Sequence, residues 1–315
     1  RHLPRYSLNV YQIFRVANFI RNHSNAQNVE TRVVTALRFL VWDSLECEDQ
    51  IKDRIVDDWC RSCDLARNIP HLKSFFLTPT KEQCSKPFRI LGANELQLSY
   101  CQIITRSECE YKSVDNIIQS LEWCPTAISN LARIFAALNA CSALLLEGPP
   151  GIGKTAIVKS AAEIIFGVQD AAGLAKRFER INLSSSTTLE QLRGTIIPSC
   201  KNNKRVFKWH DGTVVKALRA GKWILFDEIN LAPAEVLQWI TPLLRPVIPG
   251  ENRKLEVHGE YVENKRNSQI FATMNPATFG GGRSRLAASV KSMFTVVRLE
   301  AYHKRELENI ARGKA

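Results

Sequence analysis

Apolar positions along this chain fall into two textures that meet near residue 120. Across residues 7–45 they recur at steps of three and four: Val10, Ile13, Phe14, Ala17 and Ile20, then Val33, Val34, Leu37, Leu40 and Val41. That spacing returns side chains to one face of a 3.6-residue helix, so it predicts amphipathic helices. The polar stretch 22–27 reads as the turn between two of them. A third helix is predicted over 50–66, after which Pro70, Pro79 and Pro87 punctuate a segment read as a connection. The first hundred residues thus predict a small helical bundle followed by a linker.

From residue 125 the pattern alternates. Helices are predicted over 126–140, 154–166, 214–220 and 233–244. Between and after them lie short apolar runs at 143–146, 180–183, 223–226, 269–273 and 294–299. Continuous apolar runs separated by helices are the mark of strands buried on both faces. The expected fold class is α/β, with a mainly parallel sheet of five strands between helices. No internal repeat is visible.

Composition narrows the classes. The 315 residues leave room for about two domains, and 45% apolar residues is ordinary for a globular chain. No apolar run approaches the ~18 residues of a membrane-spanning helix. Lys and Arg exceed Asp and Glu by 43 to 31, a net charge of +12. Of this excess, +2 falls in residues 1–110 and +10 in residues 111–315. A basic balance favours acidic partners such as RNA or nucleotide phosphates without choosing among them. The first residue is Arg1 and no charged-then-apolar signal segment follows, so a piece of a longer polypeptide is expected. Nine cysteines in a chain with a full-sized core read as reduced thiols in an intracellular compartment. Cys60-Arg61-Ser62-Cys63 is a single CxxC with no second pair at zinc-site spacing, so packing or solvated thiols is preferred over metal.

The chemistry concentrates in the second half. Gly148-Pro149-Pro150-Gly151-Ile152-Gly153-Lys154-Thr155 matches the G-x-x-x-x-G-K-[ST] phosphate loop in full, after a predicted strand and opening a predicted helix. Glycines let the backbone turn tightly and aim its N–H groups at phosphates, and the helix N-terminus adds its dipole. Lys154 would reach the β- and γ-phosphates, and the Thr155 hydroxyl would ligate Mg²⁺. The apolar run 223–226 ends in Asp227-Glu228. Asp227 is placed to support the metal, and Glu228 to polarise an attacking water as general base. Asn275 closes another predicted strand, where an amide can orient the water or sense the γ-phosphate; Asn275-Pro276 also reads as a plain turn.

These residues resemble an AAA+ ATPase module, and more narrowly the midasin family of dynein-related ATPases of large ribosomal subunit assembly. The resemblance rests on the loop 148–155, on Phe226-Asp227-Glu228-Ile229-Asn230-Leu231-Ala232 and on Phe271-Ala272-Thr273-Met274-Asn275-Pro276. The segments 181–194, 207–217 and 280–286 add to it, and Pro4-Arg5-Tyr6-Ser7-Leu8 resembles the start of a lid helix. The resemblance implies that residues 1–75 are the helical lid of a preceding module, 76–115 a linker, and 116–315 an AAA+ core whose own lid is mostly missing. It implies ATP and Mg²⁺ as ligands, with Glu228 and Asn275 (the first sensor) as catalytic residues. The stretch 194–211 would be a helix-two insert and 254–262 a hairpin before the sensor strand. It also implies neighbouring AAA+ modules of the same chain, forming a ring. The implied task is remodelling pre-60S ribosomal particles and releasing assembly factors, in the nucleolus and nucleoplasm.

Two departures stand out. Where family modules commonly read Asn-Arg-Phe-Thr, this chain has Ser292-Met293-Phe294-Thr295, and Asn9 replaces the usual lid arginine. The trans-acting arginine is therefore absent from its usual place, and Arg283 and Arg285 are the nearby candidates to substitute. Other readings stay open: a different dynein-related AAA+ protein, a module that holds ATP structurally and rarely hydrolyses it, and an RNA-binding module. The last is suggested by Lys201, Lys204, Arg205 and Lys208 interleaved with Phe207 and Trp209.

Overall fold

The computed structural model describes residues 12–13, 15–17, 20, 33, 36–41, 49–62, 88–92, 95–98, 101–104, 123–138, 143–168, 170–201, 204–245, 252–264, 268–275 and 286–312. In the first part of the chain the described residues of 12–20 are helical, Leu37–Val41 is a π-helical segment, and helix α1 spans Asp49–Ser62. The expected turn at 22–27 and Pro70, Pro79 and Pro87 lie outside the described residues. The stretch expected to be linker needs a correction. Strands β1 (Phe88–Gly92), β2 (Glu95–Leu98) and β3 (Cys101–Ile104) pair there as an antiparallel sheet. The cause is a period-two alternation: Leu96 and Leu98 are buried while Glu95 and Gln97 intervene. A proline just before β1 is no obstacle, because a strand's first residues need not donate to the ladder.

The α/β core then runs in order. Helix α2 (Pro125–Leu138) leads into β4 (Leu144–Glu147), followed by α3 (Lys154–Phe166), α4 (Ala171–Arg177) and β5 (Phe178–Asn182). Next come a short helix α5 (Leu189–Arg193), a hairpin of β6 (Gly194–Lys201) and β7 (Lys204–Asp211), helix α6 (Thr213–Ala220) and β8 (Trp223–Asp227). Helix α7 (Ala234–Leu244) and a second hairpin, β9 (Lys254–Val257) with β10 (Glu260–Glu263), precede β11 (Ile270–Met274). The chain closes with α8 (Ala288–Lys291), β12 (Thr295–Arg298) and α9 (Lys304–Arg312).

Five strands form one all-parallel sheet in the order β12-β4-β11-β8-β5, as the alternating pattern predicts. Both faces are covered, which is why the runs are continuously apolar. Successive strand residues divide between the faces. Leu144, Leu146, Leu225, Phe271 and Val297 join the core with α2 and α3; Leu145, Ile224, Phe226, Ala272 and Val296 join that with α6, α7 and the second hairpin. The connections that leave the neighbouring strands β4 and β11 run in opposite directions across the sheet, one to β5 and the other to β12, and so reverse between them. Loops leaving the carboxyl ends of the strands at such a reversal form a crevice, the usual binding place in open parallel sheets.

The first part of the chain packs on the same core. Ala36, Leu40, Phe88, Leu96 and Leu98 are buried with α2 and α3, and the buried Arg15 donates to the Ser292 carbonyl at 2.6 Å. Helix α2 is bound to the far end of the chain through polar contacts. Asn130, fully buried, donates to the Glu300 carbonyl at 3.0 Å and accepts from its N–H at 2.9 Å. The Glu306 carboxylate accepts from the Thr126 N–H (3.0 Å), the Thr126 hydroxyl (2.8 Å) and the His303 N–H (2.8 Å). One side chain thereby satisfies donors at the N-termini of both α2 and α9 that the helices themselves leave unbonded. Burial pushes the Glu306 pKa up, but these hydrogen bonds, with the Cys124 thiol, outweigh it and hold the group below its ordinary value.

Glu306→Ala should therefore destabilise the protein by about 1–2 kcal/mol at pH 7, as measured by urea unfolding. A carboxyl with a lowered folded pKa stabilises above its unfolded value of about 4.3 and loses that contribution as pH falls through its folded value. The gap between wild type and variant should then shrink below about pH 4. A gap independent of pH would show that Glu306 acts by packing alone.

Candidate functional site

The loop after β4 is shaped by its glycines. A Cβ on Gly148 would stand 2.5 Å from Ile152 Cδ1 and 3.3 Å from the Leu299 carbonyl oxygen. Gly151 and Gly153 hold φ of 81° and 73°, the left-handed region that side chains disfavour. Gly153 is the N-cap of α3, so the helix opens with Lys154. Ile152 is buried against the core while Pro150, Gly151 and Gly153 face solvent. Lys154 is only 8% exposed. Its Nζ donates to the carbonyls of Gly148 (2.9 Å) and Pro149 (2.8 Å) and to Asn275 Oδ1 (2.5 Å).

Asp227 ends the fully buried strand β8. Its Oδ1 accepts from the Thr273 hydroxyl. Its Oδ2 accepts from the Thr155 hydroxyl at 3.0 Å and from Arg180 Nε and Nη2 at 2.9 and 2.6 Å. Burial raises the Asp227 pKa, but the bonds from Thr273, Arg180 and Thr155 and the Arg180 charge prevail and keep it below the ordinary carboxylate value. The next residue, Glu228, adopts φ 56° and ψ 48°, unusual for a residue with a side chain. Its N–H donates to the Thr273 hydroxyl at 3.1 Å. Its Oε1 accepts from Asn275 Nδ2 at 2.5 Å.

The structure thus brings together the loop, Thr155, Asp227, Glu228 and Asn275 from the ends of β4, β8 and β11. Asn275 links the cation to the acid: its amide oxygen takes Lys154 and its amide nitrogen serves Glu228. Asn275 therefore lies beside Lys154 and Glu228, while Pro276 lies outside the described residues. Two members went unforeseen. Arg180 is in sequence simply a member of the run 180–183, yet the pairing of Asn182 with Asp227 puts residue 180 on the same face of the sheet as Asp227. Thr273 was read only as one residue of an apolar strand, yet its hydroxyl holds both Asp227 and the Glu228 backbone. A threonine at 0% exposure in such a strand was the signal.

A hard divalent cation prefers oxygen donors, and the Thr155 hydroxyl and Asp227 carboxylate, 3.0 Å apart at the loop, fit one. Arg283 and Arg285 lie outside the described residues. Met293 is partly buried against the apolar core. Cys63 of the CxxC is outside the described residues; among the described ones no group of three or more metal-ligating side chains occurs. No helix among them is long and apolar enough to cross a membrane.

Thr273→Val should remove one donor to Asp227 and orphan the Glu228 N–H at unchanged side-chain volume. A buried group left unsatisfied costs ~1–3 kcal/mol. The variant should unfold at lower denaturant by that amount, while Thr273→Ser should retain most of the stability. Loss in Thr273→Ser with little in Thr273→Val would instead assign the effect to packing of the γ-methyl group.

Residues 143–294 match the AAA domain of the dynein-related subfamily. The chain is 33% identical over 187 residues to midasin of Dictyostelium discoideum, covering 58% of this chain. It is 36% identical over 173 residues to midasin of Giardia intestinalis, covering 54%. In both cases it spans 3% of the relative's length. It is 28% identical over 160 residues to an uncharacterized protein of Staphylococcus saprophyticus, covering 50% of this chain and 55% of that one.

Proposed function

We propose that this chain carries a dynein-related AAA+ module of the midasin kind, and that the module binds ATP with Mg²⁺ and hydrolyses it. The observation that carries the reading is the Lys154–Asn275–Glu228 chain of hydrogen bonds across three strand ends. In this reading the ammonium of Lys154 and the loop N–H groups hold the β- and γ-phosphates, where a charge-assisted contact in a partly dry site is strong. Thr155 and Asp227 hold Mg²⁺, which screens phosphate charge when bound. Glu228 accepts a proton from the attacking water. Asn275 keeps that carboxylate aimed and reports, through Lys154, on what the loop holds.

The wider role follows the resemblance. We assign the module to a machine of fused AAA+ modules that uses ATP to remodel pre-60S particles and release assembly factors in the nucleus. Residues 1–75 serve as the lid of a preceding module in this assignment. Support for it is the similarity to two midasins over more than half of this chain.

Two substitutions separate binding from chemistry. Lys154→Ala should abolish ATP binding in calorimetry. Glu228→Gln in the full protein should bind ATP at least as well as wild type, because one negative charge facing the phosphates is gone. It should turn over about 10²–10⁴-fold more slowly. Nucleotide retained through gel filtration would then be ATP. Wild-type turnover in the Gln variant would transfer the role away from Glu228 and favour a structural nucleotide.

A second partner has its own observation. The hairpin β6–β7 exposes Phe207 (76%), Ile196 (47%) and Ile197 (42%). Its base is fixed: Trp209 stacks on His258 at 4.6 Å, and Asp211 pairs with Arg219 at 2.9 Å. Lys201, Lys204, Arg205 and Lys208 are the remaining charges of the segment. An exposed aromatic among cations suits single-stranded RNA, by base stacking plus phosphate charge. A fluorescent oligouridine should bind with a steep salt dependence, and Phe207→Ala should weaken it at least about fivefold. Salt-insensitive binding, or none at low salt, would exclude RNA from this hairpin.

A further inference from the structure

Three donors converge on a single oxygen of Asp227. Oδ2 accepts from Thr155 Oγ1, Arg180 Nε and Arg180 Nη2, all within 3.0 Å. A carboxylate oxygen offers about two lone-pair sites, so the hydroxyl and the guanidinium saturate it. This is also the oxygen that faces Thr155, the other candidate metal holder. A hydroxyl can turn its proton away and present a lone pair without moving. A guanidinium carries only donors and a fixed charge, and has no such choice.

We infer that Arg180 is the metal's placeholder: it neutralises Asp227 when no cation is present and must give up Oδ2 for a divalent cation to bind. The inference rests on the assignment of Thr155 and Asp227 to the metal. The asymmetry of burial supports it, since the Asp227 side chain is 8% exposed and that of Arg180 is 55%. Asp227 cannot be left charged and alone without a large desolvation cost, whereas Arg180 can return to water cheaply. Exchange is therefore tilted by whatever else attracts the cation. Mg²⁺ by itself gains one carboxylate and one hydroxyl against a competing positive charge. Mg²⁺ arriving with a nucleotide brings phosphate oxygens as further ligands, the way this ion is commonly bound. Arg180 thus couples the two arrivals, and its return to Asp227 favours release of metal with product. It is a positioning residue that acts through Asp227.

The test uses Mn²⁺ alone as the probe, titrated into the 315-residue chain without nucleotide and followed by the loss of the free-ion electron paramagnetic resonance signal. Arg180→Gln should bind Mn²⁺ about fivefold more tightly than wild type, the upper end of the scale for a partly exposed charge pair. Arg180→Lys, which keeps the charge, should stay near wild type. The double variant Arg180→Gln, Asp227→Asn should lose the gain. In thermal melts Mn²⁺ should raise the midpoint of Arg180→Gln by more than that of wild type, so a destabilised variant still reports. Equal Mn²⁺ affinity in wild type and Arg180→Gln would overturn the inference, as would a gain that survives in the double variant. Because this titration needs no nucleotide, its failure with ATP binding intact sinks the placeholder alone. Failure of wild type to bind ATP sinks the nucleotide assignment instead.

Discussion

A carboxylate buried at the end of a parallel strand must be supplied with donors, and in this protein Asp227 is that group. No single element supplies them all. The sheet order places β8 between β5 and β11, so Arg180 reaches it from one side and Thr273 from the other. Thr155 comes from the helix after β4, one strand further on. The order of strands, the register that aligns their carboxyl ends and the position of the glycine loop are therefore linked through one residue. A sheet with β8 at an edge would give Asp227 half its donors, and its ionised form would lose the balance that now favours it.

Much of this was legible in the sequence because it rests on local rules. The phosphate loop is contiguous, and its glycines sit where the backbone turns left-handed at Gly151 and Gly153. Lys154 and Phe166 bound a helix in the structure as they do in the periodicity. The five runs became the five strands because central strands covered on both faces are mostly apolar, the edge strand β5 being the more polar of them. What escaped is non-local. Arg180 looks like any charged residue entering a strand until its neighbour strand is known. Thr273 looks like one polar atom in an apolar run until Asp227 lies beside it. The strands at 88–104 escaped for another reason: prolines at 70, 79 and 87 dominated the reading, while the alternation in Glu95-Leu96-Gln97-Leu98 spans only four residues.

The first part of the chain and the α/β core share one apolar interior, and polar contacts at long separation reinforce it. Arg15 reaches the Ser292 carbonyl across 277 positions, next to Met293 and the start of β12. Asn130 and Arg133 of α2 bind the backbone just beyond β12 and at its end, at Glu300 and Arg298 respectively. These bonds use buried donors and acceptors that would otherwise be unpaired, so they set orientation more than they add net stability. Their targets are β12 and the residues that flank it, among them Leu299, whose N–H in turn bonds Glu147 immediately before the glycine loop. The Leu299 carbonyl also approaches Gly148 closely enough that a Cβ there would be tight. The loop is thus braced from behind by the chain's last strand.

Strain at Glu228 completes the picture. A glutamate at φ 56° costs of order 1–3 kcal/mol relative to an extended or helical backbone. Ordinary turn chemistry would put glycine or asparagine there. The conformation is held because the Glu228 N–H is taken by Thr273 and the side chain by Asn275, both from the neighbouring strand. It has a geometric consequence. An extended residue after Asp227 would continue the strand and send its side chain to the opposite face of the sheet from Asp227. The left-handed turn instead keeps both acids at the crevice, one bonded to Thr155 and the other to Asn275, whose amide also holds Lys154. Two adjacent carboxylates can take separate tasks only when the backbone between them breaks the strand's alternation. The cost of that break is offset by the bonds to Thr273 and Asn275, which is the pattern expected where position is selected over local backbone preference.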